Sequence, residues 1–184
     1  MQIDEQTALD LLEDSGDLCF VDIEANGLRA DYSYTLVVSI KPYGKKPYST
    51  VVNQIGNDVG VVMWAKEELE KYVCWCTYYG KGFDLPFLNT RLLKWGKQPI
   101  EKRHHIDLYY TLKANTLVSR RSMAQMEGFL NLENQKMGVS PNVWSEVGLD
   151  KKHLRTMKQR CESDVTVLED LYRKSRHVIR DIKR

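Results

Sequence analysis

Two acidic residues, Asp22 and Glu24, stand one residue apart inside an apolar stretch that begins at Leu18. Alternate residues of a β-strand share a face, so both carboxylates project together while Val21 and Ile23 project into a core on the other side. Paired carboxylates repel each other, and their oxygens are the ligands that hard cations such as Mg²⁺ or Mn²⁺ prefer. The stretch therefore predicts a strand that carries a divalent-metal site. An exposed strand with solvated acids is the alternative.

The composition favours a single globular domain over residues 1–184. Apolar residues make up 42% of the chain and charged residues 28%, and this length can bury a sizeable core. No stretch resembles a signal peptide or a membrane span of about 18 apolar residues, so we expect a cytoplasmic protein without membrane segments. The cysteine spacing fits neither a disulfide framework nor a zinc site, and predicts free thiols in buried strands. These cysteines are Cys19, Cys74, Cys76 and Cys161.

The net charge of +2 is unevenly distributed along the chain. Residues 151–184 contain 11 Lys and Arg against 5 Asp and Glu, whereas residues 1–150 contain 16 against 20. A basic segment beside an acidic remainder suits a polyanion that approaches a carboxylate site. Solvated helix faces explain the same charge equally well.

Hydrophobic periodicity and turn residues predict alternating strands and helices. The predicted strands are 18–24, 35–43, 49–53, 72–79 and 103–107, and the last continues as a helix to residue 113. The other predicted helices are 4–15, 60–71, 84–95, 122–130, 150–162 and 163–182, with a loop-rich stretch at 131–146. The first three strands lie close together in sequence, which predicts an antiparallel meander.

A third acid, Asp84, follows a turn bracketed by Gly80 and Gly82. Pro86 marks the first turn of the helix that follows, so Asp84 lies near the N-terminus of that helix. An ordinary helix cap would explain the acid. The alternative is a third carboxylate at the carboxyl end of a strand, where open α/β sheets bind ligands.

A fourth acid, Asp164, lies beside the predicted start of the last helix, where a negative charge also suits the helix dipole. It does not stand alone, because whole β/α units separate an ordered set of acids. That set is Asp22, Glu24, Asp84 and Asp164, and it favours one shared site. The adjacent residues His104 and His105 face opposite sides of a strand, so at most one can serve a given site; we expect His105 to be structural or supporting.

Three segments of the chain resemble the motifs of the DEDD superfamily of 3′–5′ exonucleases, which have the ribonuclease H-like fold. Val-Asp-Ile-Glu-Ala-Asn-Gly-Leu at 21–28 resembles the first motif, and Lys-Gly-Phe-Asp-Leu-Pro-Phe-Leu at 81–88 the second. Arg-Cys-Glu-Ser-Asp-Val at 160–165 resembles the third. His-Ile-Asp-Leu at 105–108 is similar to a segment of small standalone members, some of them from phages. The resemblance spans roughly residues 18 to 172.

The resemblance implies an α/β fold with a mixed sheet, three antiparallel strands and then parallel ones, flanked by helices. It also implies hydrolysis of single-stranded DNA or RNA from the 3′ end, with release of nucleoside 5′-monophosphates. Two ions, Mg²⁺ or Mn²⁺, would be held by Asp22, Glu24, Asp84 and Asp164. The residues that would contact the nucleic acid are Leu28, Phe83, Asn26 and Arg160. For Leu28 and Phe83, an equal alternative is that they are core residues. The sequence does not distinguish DNA from RNA and indicates no protein partner.

One position departs from the family pattern. Members usually carry a Tyr four residues, or a His five residues, before the last acid, and here those positions hold Arg160 and Gln159. Neither side chain can serve as a general base. Three explanations stay open: His153 or Tyr172 substitutes, the metal ions alone give slow hydrolysis, or the chain only binds nucleic acid ends. An internally cutting nuclease and a metal-free structural domain are further alternatives.

Overall fold

A computed structural model describes residues 4–140, 143, 146 and 151–180. The strands of this part of the chain are β1 (Leu18–Ala25), β2 (Thr35–Pro42), β3 (Tyr48–Val51), β4 (Cys74–Thr77) and β5 (His104–Asp107). Its helices are α1 (Glu5–Ser15), α2 (Val59–Leu69), α3 (Asp84–Lys94), α4 (Leu108–Asn115), α5 (Met123–Leu130) and α6 (Lys151–Ser175). A 3₁₀ turn, Arg176–Val178, follows α6.

The strands form one mixed sheet in the order β3-β2-β1-β4-β5. β1 pairs antiparallel with β2, and β2 with β3, as the meander predicted. β4 pairs parallel with β1, and β5 parallel with β4. The predicted architecture, a mixed sheet flanked by helices, is confirmed. β1 lies at the centre, so the acids that it carries sit in the middle of the sheet.

Alternate residues of β1 feed two separate cores. Val21 and Ile23 are buried against residues of α2 and α3 on one face of the sheet. Phe20 is buried on the other face, where Leu168 and Tyr172 of α6 contribute to the core. Because successive side chains of β1 point to opposite faces of the sheet, the strand is buried on both faces, as is typical of a central strand. Asp22 and Glu24 lie on the same side as Phe20, near the carboxyl end of the strand.

The prediction of two terminal helices is wrong, because α6 is one continuous helix of 25 residues. Its buried residues Met157, Cys161, Val165 and Leu168 keep helical spacing across the predicted break. No Pro or Gly interrupts this stretch, so nothing ends the helix at residue 162. The predicted start at residue 150 and end at residue 182 lie outside the described residues, as do positions 141, 142, 144 and 145 of the predicted loop.

The remaining elements differ from prediction only at their ends. β4 is four residues long rather than eight, because Tyr78 and Tyr79 already turn away from the sheet. All four cysteines are free and buried, although Cys161 lies on α6 rather than on a strand. Among the described residues, no helix combines the length and the apolar composition that crossing a membrane requires.

Candidate active site

Three of the four predicted carboxylates converge on one point of the fold. Asp22 and Glu24 project from β1, and Asp164 reaches them from the middle of α6. One oxygen from each carboxylate can be chosen so that the three atoms lie within 4.8 Å of one another. Asp164 therefore does not stand at a helix start, and the helix-dipole explanation of this acid is wrong.

Asp84 lies next to this triad and is fixed by the backbone of β1. It is the first residue of α3, and its Oδ1 accepts a hydrogen bond of 3.2 Å from the backbone N–H of Ile23. Ile23 stands between Asp22 and Glu24, so the contact holds Asp84 against the acidic strand. Asp84 is nearly buried, at 5% exposure. The residue in the cap position of α3 is Phe83, so the predicted alternative of a cap at Asp84 is not what the structure shows.

Two basic side chains enter the acidic cluster. The Nε of Arg160 donates to Glu24 Oε1 over 2.7 Å, and its Nη1 donates to the carbonyl of Met137 over 3.0 Å. Lys136 places its Nζ 2.8 Å from Asp164 Oδ2. Arg160, predicted to contact nucleic acid, thus lies directly against a predicted metal ligand.

Burial and mutual repulsion raise the pKa values of these carboxyl groups. Burial, followed by the charges of Asp84 and Asp164, raises the pKa of Asp22 well above its ordinary value. Burial raises the pKa of Glu24 to about 7, even though Arg160 opposes the shift. Burial also raises the pKa of Asp84 to about 7. The fold therefore holds these groups where their charge is costly, as a cation-binding site requires.

The cluster fits a divalent cation by its chemistry and by one unsatisfied atom. Its ligands are all carboxylate oxygens, the set that Mg²⁺ and Mn²⁺ prefer. Asp164 is 3% exposed, and its Oδ1 is buried with no hydrogen-bond partner in the described part of the chain. A buried acceptor without a partner is costly, and a metal ion would satisfy it.

The raised pKa values predict how the metal-free protein responds to pH. Asp84 has a pKa of about 7 in the fold and an ordinary value of 3.8, so its contribution is fully present below about pH 4 and is lost as pH rises through 7. We expect the melting temperature in EDTA to fall as the pH rises from about 4 to about 7, and to fall less in Asp84→Asn. Equal pH profiles of the two proteins in thermal unfolding would contradict this.

Leu28 and Phe83, the predicted nucleobase contacts, line one groove beside the acids. The groove has a volume of about 250 Å³, and Leu28 is 82% exposed at its rim. Phe83 is partly buried, with its ring centroid 5.4 Å from that of Phe87. Asn26 instead closes the intervening loop, because its Oδ1 accepts a 2.8 Å hydrogen bond from the backbone N–H of Tyr34.

A buried ion pair anchors the loop that carries Leu28. Arg91 donates to both carboxylate oxygens of Asp58 over 2.9 Å, and its Nη1 donates to the carbonyl of Ala30 over 3.0 Å. Although burial alone would raise it, the hydrogen bonds from Arg91 hold the pKa of Asp58 below its ordinary value. The loop is therefore fixed to α3 rather than merely exposed.

A second pocket, larger than the groove at about 390 Å³, opens beside Asp22. Asp22 and Lys136 line it together with aromatic and basic residues, namely Tyr78, Tyr79, Tyr109 and Arg121. The Nε of Arg121 is buried and has no hydrogen-bond partner among the described residues. The pocket thus combines aromatic rings, a buried guanidinium nitrogen that lacks a hydrogen-bond partner in the described part of the chain, and access to a predicted metal ligand.

Tyr79 adopts a backbone conformation that bulky residues seldom occupy, with φ of 68°. Its N–H donates to Asp107 Oδ1 over 2.9 Å, which holds the turn after β4 in place. A Cβ at Gly82 would lie 2.4 Å from the ring of Tyr79, so a larger residue there would displace this ring. The strain places this ring at the mouth of the pocket, next to Tyr109 at a centroid distance of 5.0 Å.

The other predicted candidates do not reach the cluster. His105 is buried, shares a 2.7 Å hydrogen bond with Thr77, and burial lowers its pKa to about 3, so its role is structural. Tyr172 cannot replace the missing base, because its hydroxyl donates to Glu13 in the second core. His153 lies eleven residues before Asp164 on α6, about 16 Å along the axis. In this structure, neither residue lies at the acidic cluster.

Sequence reasoning missed several residues of this site. Lys136 and Met137 lie in a stretch without periodicity, and no sequence signal connects them to the acids. Tyr109 lies in the first turn of α4, and Arg121 lies just before α5. Their place in the pocket therefore depends on where these helices begin. One signal for this region was available in the sequence, namely the resemblance of residues 105–108 to small family members. Asp107 of that segment accepts hydrogen bonds from the turn before Asp84.

The fold and the acidic cluster together define the class of this protein. Residues 19–175 match the family described as the RNase_H superfamily. The match covers most of the chain, and the chain belongs to this superfamily. Among curated proteins, none matches the chain by sequence.

Solved structures show the same fold. The family B DNA polymerase of the hyperthermophilic archaeon Pyrobaculum calidifontis aligns with a TM-score of 0.68 and 15% identity, over 86% of this chain and 24% of the polymerase. The chain thus spans about a quarter of the polymerase's length. Brucella melitensis NrnC bound to pGG aligns with a TM-score of 0.59 and 17% identity, over 88% of this chain and 74% of NrnC.

Proposed function

We propose that this chain is a divalent-metal-dependent 3′–5′ exonuclease that hydrolyses single-stranded DNA or RNA and releases nucleoside 5′-monophosphates. The observation that carries the proposal is the convergence of Asp22, Glu24 and Asp164 within 4.8 Å on an RNase H superfamily fold. Asp84 completes the proposed catalytic set. The similar structures, a DNA polymerase and NrnC bound to pGG, support a nucleic acid as the substrate.

The carboxylates give the site its chemistry by holding Mg²⁺ or Mn²⁺, and the resemblance to DEDD exonucleases implies two ions. A bound ion supplies a water of lowered pKa and neutralises charge on the phosphate. The chain's own part is to fix the ligands: the N–H of Ile23 orients Asp84, and Arg160 orients Glu24. Glu24, Asp84 and Asp164 are buried, which keeps their carboxylates largely out of contact with solvent, while Asp22 stays partly exposed.

The two cavities support a single strand as substrate. The groove of Leu28 and Phe83 offers an apolar surface to a base, and the pocket of Tyr79 and Tyr109 offers aromatic rings. Aromatic stacking is tolerant of sequence and needs unpaired bases. Lys136 and Arg121 add positive charge for the phosphate backbone. The proposed binding residues are Leu28 and Phe83 in the groove, Asn26 through the loop that it closes, and Arg160 beside Glu24, with the pocket as a second contact.

Digestion of single-stranded oligonucleotides labelled at the 5′ end tests the proposal. We expect a ladder that shortens from the 3′ end with Mn²⁺ or Mg²⁺ and no products with EDTA, for DNA, RNA or both. Circular single-stranded DNA is the control, because an exonuclease leaves it intact. Cleavage of the circle would replace the proposal with an internally cutting nuclease, and no cleavage of any substrate would refute the proposed activity.

The groove makes a separate prediction for Leu28→Ala. Leu28 is exposed, so folding should be unaffected, while the lost apolar contact should raise KM about tenfold and leave kcat nearly unchanged. Leu117→Ala is the matched control, because Leu117 is 99% exposed and does not line the groove. Steady-state kinetics on one oligonucleotide measure both variants. Equal KM values for Leu28→Ala and the original protein would remove Leu28 from the binding surface.

A second candidate function is a protein that binds nucleic acid ends without cutting them. The position of Arg160 favours it, because an arginine paired with Glu24 stands where family members carry a Tyr that acts on the water. Loss of a general base costs about 10²–10⁴ in rate, which leaves measurable hydrolysis. Retention of oligonucleotides without any metal-dependent product would select the binding function.

A further inference from the structure

We infer that the free protein binds one divalent cation, held by Asp22, Glu24 and Asp164, and that Lys136 and Arg160 supply the positive charge that a second ion would bring. The inference rests on the proposed metal-dependent function of the same site. It departs from the two ions that the resemblance implies, and it concerns the number of ions rather than their identity.

The two basic groups occupy only some of the carboxylate oxygens, and the others remain for a metal ion. Arg160 takes Glu24 Oε1, and Lys136 takes Asp164 Oδ2. Each contact uses one oxygen of its carboxylate, and the Oδ1 of Asp164 remains buried without a hydrogen-bond partner in the described chain. The cluster thus keeps one set of oxygens for an ion while the basic side chains neutralise the other oxygens.

Neither basic group is free to leave the cluster at low cost. Arg160 is tied to the carbonyl of Met137 over 3.0 Å, and its Nη2 lies 3.8 Å from Asp164 Oδ2. The backbone N–H of Lys136 donates to Glu127 Oε2 over 2.9 Å, which fixes the segment that carries it to α5. Both side chains are mostly buried, with 22% of each exposed.

A charge count then limits the number of ions. When ionised, Asp22, Glu24, Asp84 and Asp164 carry four negative charges, and Lys136 and Arg160 offset two of them. One divalent ion neutralises the remainder. A second ion would leave an excess of positive charge in a buried site, where the energy of unbalanced charge is large.

Counting bound Mn²⁺ by electron paramagnetic resonance titration at about pH 8 tests the inference. We expect one ion per chain for the unmodified protein, and two for the variant that combines Lys136→Met with Arg160→Gln. The first ion should bind that variant about tenfold more tightly. Lys158→Met is the matched control, because Lys158 lies on α6 with Arg160 but pairs with Glu162. This control variant should bind one ion.

Two ions in the unmodified protein, no ion in it, or one ion in both proteins would overturn the inference. If the double variant does not fold, as judged by circular dichroism, the count for the unmodified protein still decides. The oligonucleotide digestion separates the two proposals. Hydrolysis together with two bound ions would support the exonuclease and reject the single-ion site. One bound ion without hydrolysis would support the single-ion site and reject the exonuclease.

Discussion

Asp22→Asn should lower hydrolysis about a thousandfold or more, because metal ions contribute several kcal/mol of transition-state stabilisation and Asp22 is central to their ligands. The variant should nevertheless fold. In EDTA it should melt at a higher temperature than the original protein, since an uncharged amide replaces a carboxyl group whose pKa is raised by burial and by Asp84 and Asp164. A loss of activity that accompanies a gain in stability is the expected signature.

The matched control for this substitution is Asp14→Asn. Asp14 is exposed on α1, so its replacement removes one negative charge without touching the cluster, and activity and stability should stay nearly unchanged. Rates of product release and thermal unfolding in EDTA measure all three proteins. Full hydrolysis by a folded Asp22→Asn protein would remove Asp22 from the proposed site.

Arg91→Met should cost about 3–5 kcal/mol of unfolding free energy, because it leaves the carboxylate of Asp58 buried without its ionic partner. Asp58 is fully buried and Arg91 is 1% exposed, so solvent cannot replace the lost contact. The substitution also removes the anchor of the Ala30 carbonyl. Binding through the Leu28 groove should therefore weaken in parallel with stability.

Lys71→Met provides the comparison for Arg91→Met. The Nζ of Lys71 lies 2.6 Å from Glu68, yet its side chain is 60% exposed, and such pairs contribute about 0–1 kcal/mol. Urea-induced unfolding of both variants separates a buried pair from a surface pair. A loss below about 1 kcal/mol for Arg91→Met would mean that the pair of Arg91 and Asp58 does not hold the loop.

Local patterns predicted the sheet well because its strands are short, apolar and bounded by turn residues. The acids of β1 could be placed on one face from the period of two alone, and Val21 and Ile23 pack as that period requires. The continuity of α6 was missed because a helix end was predicted at residue 162, although no Pro or Gly stands there. Buried residues at helical spacing on both sides of residue 162 continue the helix.

The basic half of the cluster could not be predicted from sequence. Lys136 reaches Asp164 across 28 positions, from a stretch with neither helical nor strand periodicity. Arg160 was recognised as a departure from a motif, but its pairing with Glu24 depends on how α6 crosses β1. Such contacts depend on tertiary packing, for which single-sequence patterns carry no signal.

The most direct test of this account is the anomalous diffraction of crystals soaked in saturating Mn²⁺. The account predicts an anomalous peak within metal–oxygen bonding distance of Asp22, Glu24 and Asp164, absent from crystals of Asp22→Asn. A map with no peak at these carboxylates, or with its strongest peak elsewhere on the protein, would contradict it.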